Sequence, residues 1–124
     1  MAFPNRIFRF GIEGPPPVKR RPRGSHHYTP KRTVEDEQRV RDSFLAYDPI
    51  PPRSTARFSV ELRIYTNRNL DGDNVEKAVM DALSQVLWEN DRQIRQMFWV
   101  IQSTQNWEAA QNGECIWIKA LEVT

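Results

Sequence analysis

Several things are scarce or missing in this 124-residue chain, and each one narrows what it can be. There is one cysteine, Cys115, so neither an internal disulfide framework nor a cysteine-based zinc cluster is available. No stretch approaches the ~18–20 apolar residues of a membrane-spanning helix, so no membrane partner is expected. The opening Met1-Ala2-Phe3-Pro4-Asn5-Arg6 has no apolar core and no cleavage-site pattern, which argues against secretion and for a reducing cytoplasm. Histidine is limited to His26-His27, adjacent positions that point apart in extended chain and find no third ligand of their kind. No internal repeat occurs at solenoid periods. A single domain over residues 1–124, large enough for one core, is what remains.

Charge is present in both signs but unevenly placed. The formal net charge is +2. Residues 1–57 carry twelve Lys or Arg against six Asp or Glu, whereas residues 58–124 carry six against ten. A basic arm joined to an acidic second half suits a protein that grips a polyanion and sets a cation against it. Random clustering of solvated surface charge is the plain alternative.

Hydrophobic periodicity lays out six elements. Phe8, Phe10 and Ile12 alternate with Arg9, Gly11 and Glu13, which predicts a half-buried strand over 7–13. Gly14-Pro15-Pro16-Pro17 stops it, because proline neither donates to a ladder nor continues into a helix. The proline-bounded loop over 14–32 holds Lys19, Arg20, Arg21, Arg23, Lys31 and Arg32 and no acid. Thr33 is placed to N-cap a helix running to about residue 47, with Val40, Phe44 and Tyr47 on one face. A strand over 57–66 sends Phe58, Val60, Leu62 and Ile64 one way and Ser59, Glu61, Arg63 and Tyr65 the other. Val75, Val79, Leu83, Val86 and Leu87 keep helical spacing and predict an amphipathic helix from 73 to about 87. Residues 97–101 and 114–123 read as further strands. The order β-α-β-α-β-β predicts an α+β domain, a mixed sheet of about four strands with two helices packed on one face. Phe98, Trp99 and Trp117, taken singly, are expected in its core, and become interface material if the chain pairs with itself.

The chemistry gathers in Leu70-Asp71-Gly72-Asp73-Asn74-Val75-Glu76-Lys77 and, further on, Trp88-Glu89-Asn90-Asp91-Arg92-Gln93-Ile94. Asp71 and Asp73 stand where a strand ends and a helix begins, with Gly72 between them to permit unusual dihedrals. Lys77 follows Asp73 by one helical turn, and Asp81 lies a turn beyond. Asp91 falls in the link after the helix, expected near the sheet end where Asp71 starts. Carboxylate oxygens hold Mg²⁺, and an ammonium steadies phosphate charge, which is the equipment of a phosphodiesterase. Each residue also has a plainer use. Asp73 with Glu76 makes a capping box, Lys77 between Asp73 and Asp81 an ordinary ion-pair ladder, and Asp91 a turn.

Asp71-Gly72-Asp73-Asn74-x-x-Lys77-x-x-x-Asp81-Ala82-Leu83, followed by Trp88-x-x-Asp91-x-Gln93-Ile94, resembles the core signature of the RusA-type Holliday junction resolvases. The likeness extends to Phe10-x-x-x-Gly14-x-Pro16-x-x-Lys19-x-Arg21-x-Arg23 and Tyr28-Thr29-Pro30. It implies an endodeoxyribonuclease that cuts four-way junctions, with Asp71, Asp73 and Asp91 as metal ligands and Lys77 required for cleavage. It also implies Mg²⁺, with Mn²⁺ able to substitute, branched DNA as substrate and a C2 homodimer matching the junction's own two-fold. Lys19, Arg20, Arg21, Arg23, Lys31, Arg32 and Arg68 are the candidate phosphate contacts, and Tyr28 is a candidate for stacking on an exposed base. One departure stands out: the family pairs two acids where this chain has Asn90-Asp91. A non-catalytic DNA-binding module and a nuclease for flaps or forks are the competing readings.

Overall fold

Alternating apolar residues make strands here, and apolar residues at helical spacing make the two helices that cover them. The computed structural model describes residues 5–19, 31–104 and 113–123. In chain order these form β1 (Ile7–Glu13), α1 (Lys31–Tyr47), β2 (Arg57–Tyr65), α2 (Gly72–Leu83), a single 3-10 turn (Asp91–Gln93), β3 (Ile94–Gln102) and β4 (Cys115–Val123). The strands lie in the order β1-β4-β2-β3. β2 and β3 are parallel, and β4 is antiparallel to both of its neighbours. The result is the expected α+β arrangement of a mixed sheet and two helices. Among the described residues no helix is long and apolar enough to cross a membrane.

One face of the sheet is dry. Phe8, Phe10 and Ile12 of β1, Phe58, Val60, Leu62 and Ile64 of β2, and Ile116, Ile118 and Ala120 of β4 are buried together against the helices. α1 adds Val40 and Phe44, and α2 adds Val75, Val79, Ala82 and Leu83. The Phe44 ring stands edge-on to Phe10 at 5.2 Å between centroids. Each such side chain contributes about 1.5–3 kcal/mol of transfer free energy when fully buried.

Among the described residues no helix covers the other face, and the register shows what it presents. Gly11, Trp117, Arg63 and Val100 form one row across the strands, and Arg9, Lys119, Glu61 and Phe98 form the next. This corrects the core assignment of three aromatics, since Phe98 is 58% exposed, Trp117 47% and Trp99 41%. Phe98 and Trp117 point to the uncovered face because strand side chains alternate. Trp99 pairs with buried Leu62 and so faces the helices, but it does so on the edge strand.

Element ends differ from the sequence pattern for local reasons. Thr33 lies inside α1 rather than at its cap. Its hydroxyl donates to the Val18 carbonyl at 3.5 Å, and Asp36 Oδ2 accepts the Val18 N–H at 3.1 Å. These polar groups hold the proline segment against the helix instead of starting it. Gly14 has φ +96°, and a Cβ there would come within 2.7 Å of Arg39 Nη1, which donates to the Glu13 carbonyl. α2 stops at Leu83, because Ser84 turns extended and Gln85 takes φ +69°. Leu87 nevertheless reaches the core from a turn. Apolar spacing had registered its burial and not its backbone.

Candidate active site

α2 carries functional side chains at both ends, and the two ends are built differently. At its start Asp71 is the N-cap, with Oδ1 accepting the Asp73 N–H at 3.0 Å. The Asp71 carbonyl accepts from Asn74 at 3.1 Å and from Val75 at 3.4 Å. Asp71 therefore performs the capping that the sequence assigned to Asp73, and Asp73 is left in the first turn, exposed. Both carboxylates sit at the positive end of the helix dipole.

Gly72 is required for closeness rather than for dihedral freedom. It is the first helical residue, and the positive-φ glycines among the described residues are Gly14 and Gly113. A Cβ at position 72 would lie 2.5 Å from the Trp99 indole ring. The motif's glycine thus lets the helix start rest on β3.

Lys77 is exposed one turn after Asp73 and, among the described residues, forms no ion pair. The ladder expected with Asp81 does not form, because Asp81 Oδ2 is taken by Lys19 Nζ at 2.9 Å. Lys19 also reaches Glu37 Oε1 at 3.2 Å. The Asp81 bond, and after it the Glu37 bond, raises the Lys19 pKa against an opposing effect of burial. Glu76 is raised by burial and then by Asp73, with Lys77 pulling it down.

The far end of α2 leads to Asp91, whose turn is held by one neighbour. Gln93 Oε1 accepts the N–H groups of Glu89 and Asn90 at 2.9 and 2.8 Å. Gln93 Nε2 donates to the carbonyls of Ser54 and Ala56 at 2.6 and 2.8 Å. Asn90 caps the same turn, its Oδ1 accepting from the Arg92 N–H at 2.9 Å. That explains why the missing acid at position 90 leaves the turn intact: an amide oxygen caps as a carboxylate does. Gln93 stands in the motif, but its structural role was not read from it, although Asn90-x-x-Gln93 is a legible capping box. The Asp91 carboxyl is pushed up by burial and then by Asp81, while the Trp88 indole pulls it down. That last contact falls short of hydrogen-bond geometry, and the buried Trp88 Nε1 has no partner.

The expected closeness of Asp91 to Asp71 is not found within one chain. β2 and β3 are parallel, so α2 carries the chain back to the opposite end of the sheet before β3 begins beside Phe58. Asp73 and Asp81 alone are about 12 Å apart along the helix axis at ~1.5 Å per residue. Among the described residues no three His, Cys, Asp or Glu side chains group to hold a metal. Asp71 and Asp73 share the start of α2, and Asp91 stands apart from them.

Of the basic candidates, Lys31 and Arg32 are exposed on the first turn of α1. Arg68 is exposed and pairs with Glu114 at 3.0 Å. Arg20, Arg21, Arg23, His26, His27 and Tyr28 lie outside the described residues.

The family profile described as endodeoxyribonuclease RusA matches residues 13–109, from the end of β1 to beyond β3 and including both ends of α2. The chain belongs to the RusA endodeoxyribonuclease family. No curated protein matches it. RusA membership makes it a Holliday-junction-resolving endonuclease, with branched DNA as its substrate class and a divalent metal ion as its class of cofactor. The donors at the start of α2 are exposed carboxylate oxygens, the hard ligands that such a cation takes. They fit in kind, and Asp91, the third acid that the resemblance implies, does not stand beside them.

Proposed function

We propose that this RusA-family chain is a Mg²⁺-dependent nuclease that resolves four-way DNA junctions as a homodimer, in recombination and repair, with Mn²⁺ able to replace Mg²⁺. The observation that carries this reading is the presence of Asp71 and Asp73 together at the start of α2, with Lys77 one turn beyond and in no ion pair among the described residues. Asp71 and Asp73 would contribute oxygen ligands to a divalent cation, which when bound would supply water activation and neutralisation of phosphate charge. The protein's own part is to fix the ligands and supply the ammonium. The Asp73 N–H fixes the Asp71 carboxylate, the helix start directs Asp73, and Lys77 donates to the scissile phosphate or its leaving oxygen.

Asp91 is the third ligand in this reading, and its place at the other end of α2 makes a single chain incomplete. A two-fold dimer resolves this, with one protomer's Asp91 serving the Asp71 and Asp73 of its partner. Paired cuts across a symmetric junction need two such sites in fixed relation. Lys31, Arg32 and Arg68, with Arg20, Arg21 and Arg23, supply sequence-independent phosphate contacts. A lone thiol at Cys115 suits the cytoplasm.

Incubation of the purified protein with a labelled four-way junction and Mg²⁺ tests the proposal. Symmetric paired incisions are expected. Binding without product would reduce the acids to helix caps and make the protein a binding module. Competition among junction, fork and flap substrates tests the assignment to junctions.

A further inference from the structure

Lys19 belongs by sequence to the basic loop, yet its contacts are internal. Its ammonium has three N–H donors, and two carboxylates from different helices occupy it, Glu37 of α1 and Asp81 of α2. Its backbone N–H donates to the carbonyl of Asn74 at 3.0 Å, in the first turn of α2 and one residue after Asp73. The lysine is therefore fixed at two levels of the same helix, roughly 10 Å apart along its axis. The preceding residue is held as well, since Val18 bonds Asp36 and Thr33 of α1. A phosphate approaching the Lys19 ammonium meets one positive charge flanked by two negative ones, an environment that repels anions.

We infer that Lys19 is a positioning residue, which ties the end of the proline segment to α2 and holds it in fixed relation to Asp73 and Lys77. In sequence, the run of basic side chains begins at the next residue, Arg20. The inference rests on the nuclease reading for its consequence but not for its geometry. Its role differs from that of a DNA contact in one measurable respect. Each lost phosphate contact lowers the slope of log affinity against log salt by about 0.9, and a lost tether leaves that slope alone.

The test uses the full-length protein with Lys19→Met, which keeps the aliphatic stem and removes the charge. Junction affinity is measured across a KCl series, and cleavage is measured at saturating junction with Mg²⁺. The expected result is an unchanged salt slope, affinity within about threefold of wild type, and a cleavage rate at saturation about tenfold lower or less still. Lys19→Arg should restore most of the rate, and the exchanged pair Lys19→Glu with Asp81→Lys should be faster than either single change. A slope lower by about one with the saturated rate intact would make Lys19 a phosphate ligand and overturn the inference. An unchanged slope with an unchanged rate would overturn it too. If the wild type itself cuts nothing, the nuclease reading fails separately. Coupling of Lys19→Met and Asp81→Asn in unfolding midpoints then reads the tether, and additive effects would reject it.

Discussion

The two ends of α2 hold carboxylates under opposite conditions. At the start, Asp71 accepts a backbone N–H, Asp73 stands beside it, and both face the positive pole of the helix. At the far end Asp81 and Asp91 approach each other near the negative pole, and Asp91 is held above its ordinary pKa by burial and by Asp81. The first end has the helix dipole in its favour. The second is offset by one lysine and is short of positive charge. In the proposed homodimer, a cation between the two chains would bring these contrasting ends together.

The strongest way to break this comparison is to remove one half-site at a time. Asp73→Asn and Asp91→Asn should each lower junction cleavage by about 10³ or more, because each removes a ligand of the assumed metal. Mixing the two inactive variants should restore nicking at one intact site per mixed dimer. Failure of the mixture, assayed with a nicked-product gel after subunit exchange, would place Asp91 outside a shared site. Lys77→Ala comes next, with cleavage expected to fall ~10²–10³. Junction affinity by gel shift should hold within a few-fold. A parallel loss of binding would make Lys77 a docking residue.

Gly72→Ala probes the packing of the first end. The added methyl should destabilise the fold by about 1–3 kcal/mol through crowding against Trp99. Pairing it with Trp99→Ala should recover much of that loss in denaturant unfolding. Additive losses would mean that the close approach of helix and indole is not the constraint.

The smallest effect sharpens the charge contrast. Because the folded state raises the Asp91 pKa, the ionised form costs stability at pH values above the carboxyl's unfolded-state pKa. That cost vanishes in acid, where the group is protonated in both states. Asp91→Asn should therefore melt slightly above wild type at neutral pH in EDTA, and level with it near pH 3. Added Mg²⁺ should reverse the neutral-pH order by favouring the native wild type. A variant that melts below wild type in EDTA would contradict the assignment.

Much of this was legible locally, and the rest depended on how elements meet. The alternation Phe58, Val60, Leu62, Ile64 identified β2 and its buried face, and Val75, Val79 and Leu83 identified α2. Asp71, Asp73 and Lys77 lie near one another as the sequence implies, because a helix start brings near neighbours together. Asp91 was misplaced because residue order does not say whether β3 runs parallel to β2, and only that decides which end of α2 it joins. The role of Gly72 was misread for a similar reason. Its constraint is Trp99, a residue of another strand with no local signature. Lys19 looked like one more loop cation until Asp81 and Glu37 were seen around it.

The position of β4 has a consequence for how the chain comes into being. It follows the other described strands in sequence, yet it lies between β1 and β2 and is hydrogen-bonded on both sides. A nascent chain can therefore pair β2 with β3 early, while β1 waits without a neighbour until residues 115–123 have left the ribosome. Pairing Ile7 with Leu121 then closes a loop spanning nearly the whole sequence, the kind of non-local step that slows folding. A chain cut short before β4 would keep its acidic motif and open two further strand edges, those of β1 and β2 that β4 covers, an invitation to aggregate rather than a smaller enzyme.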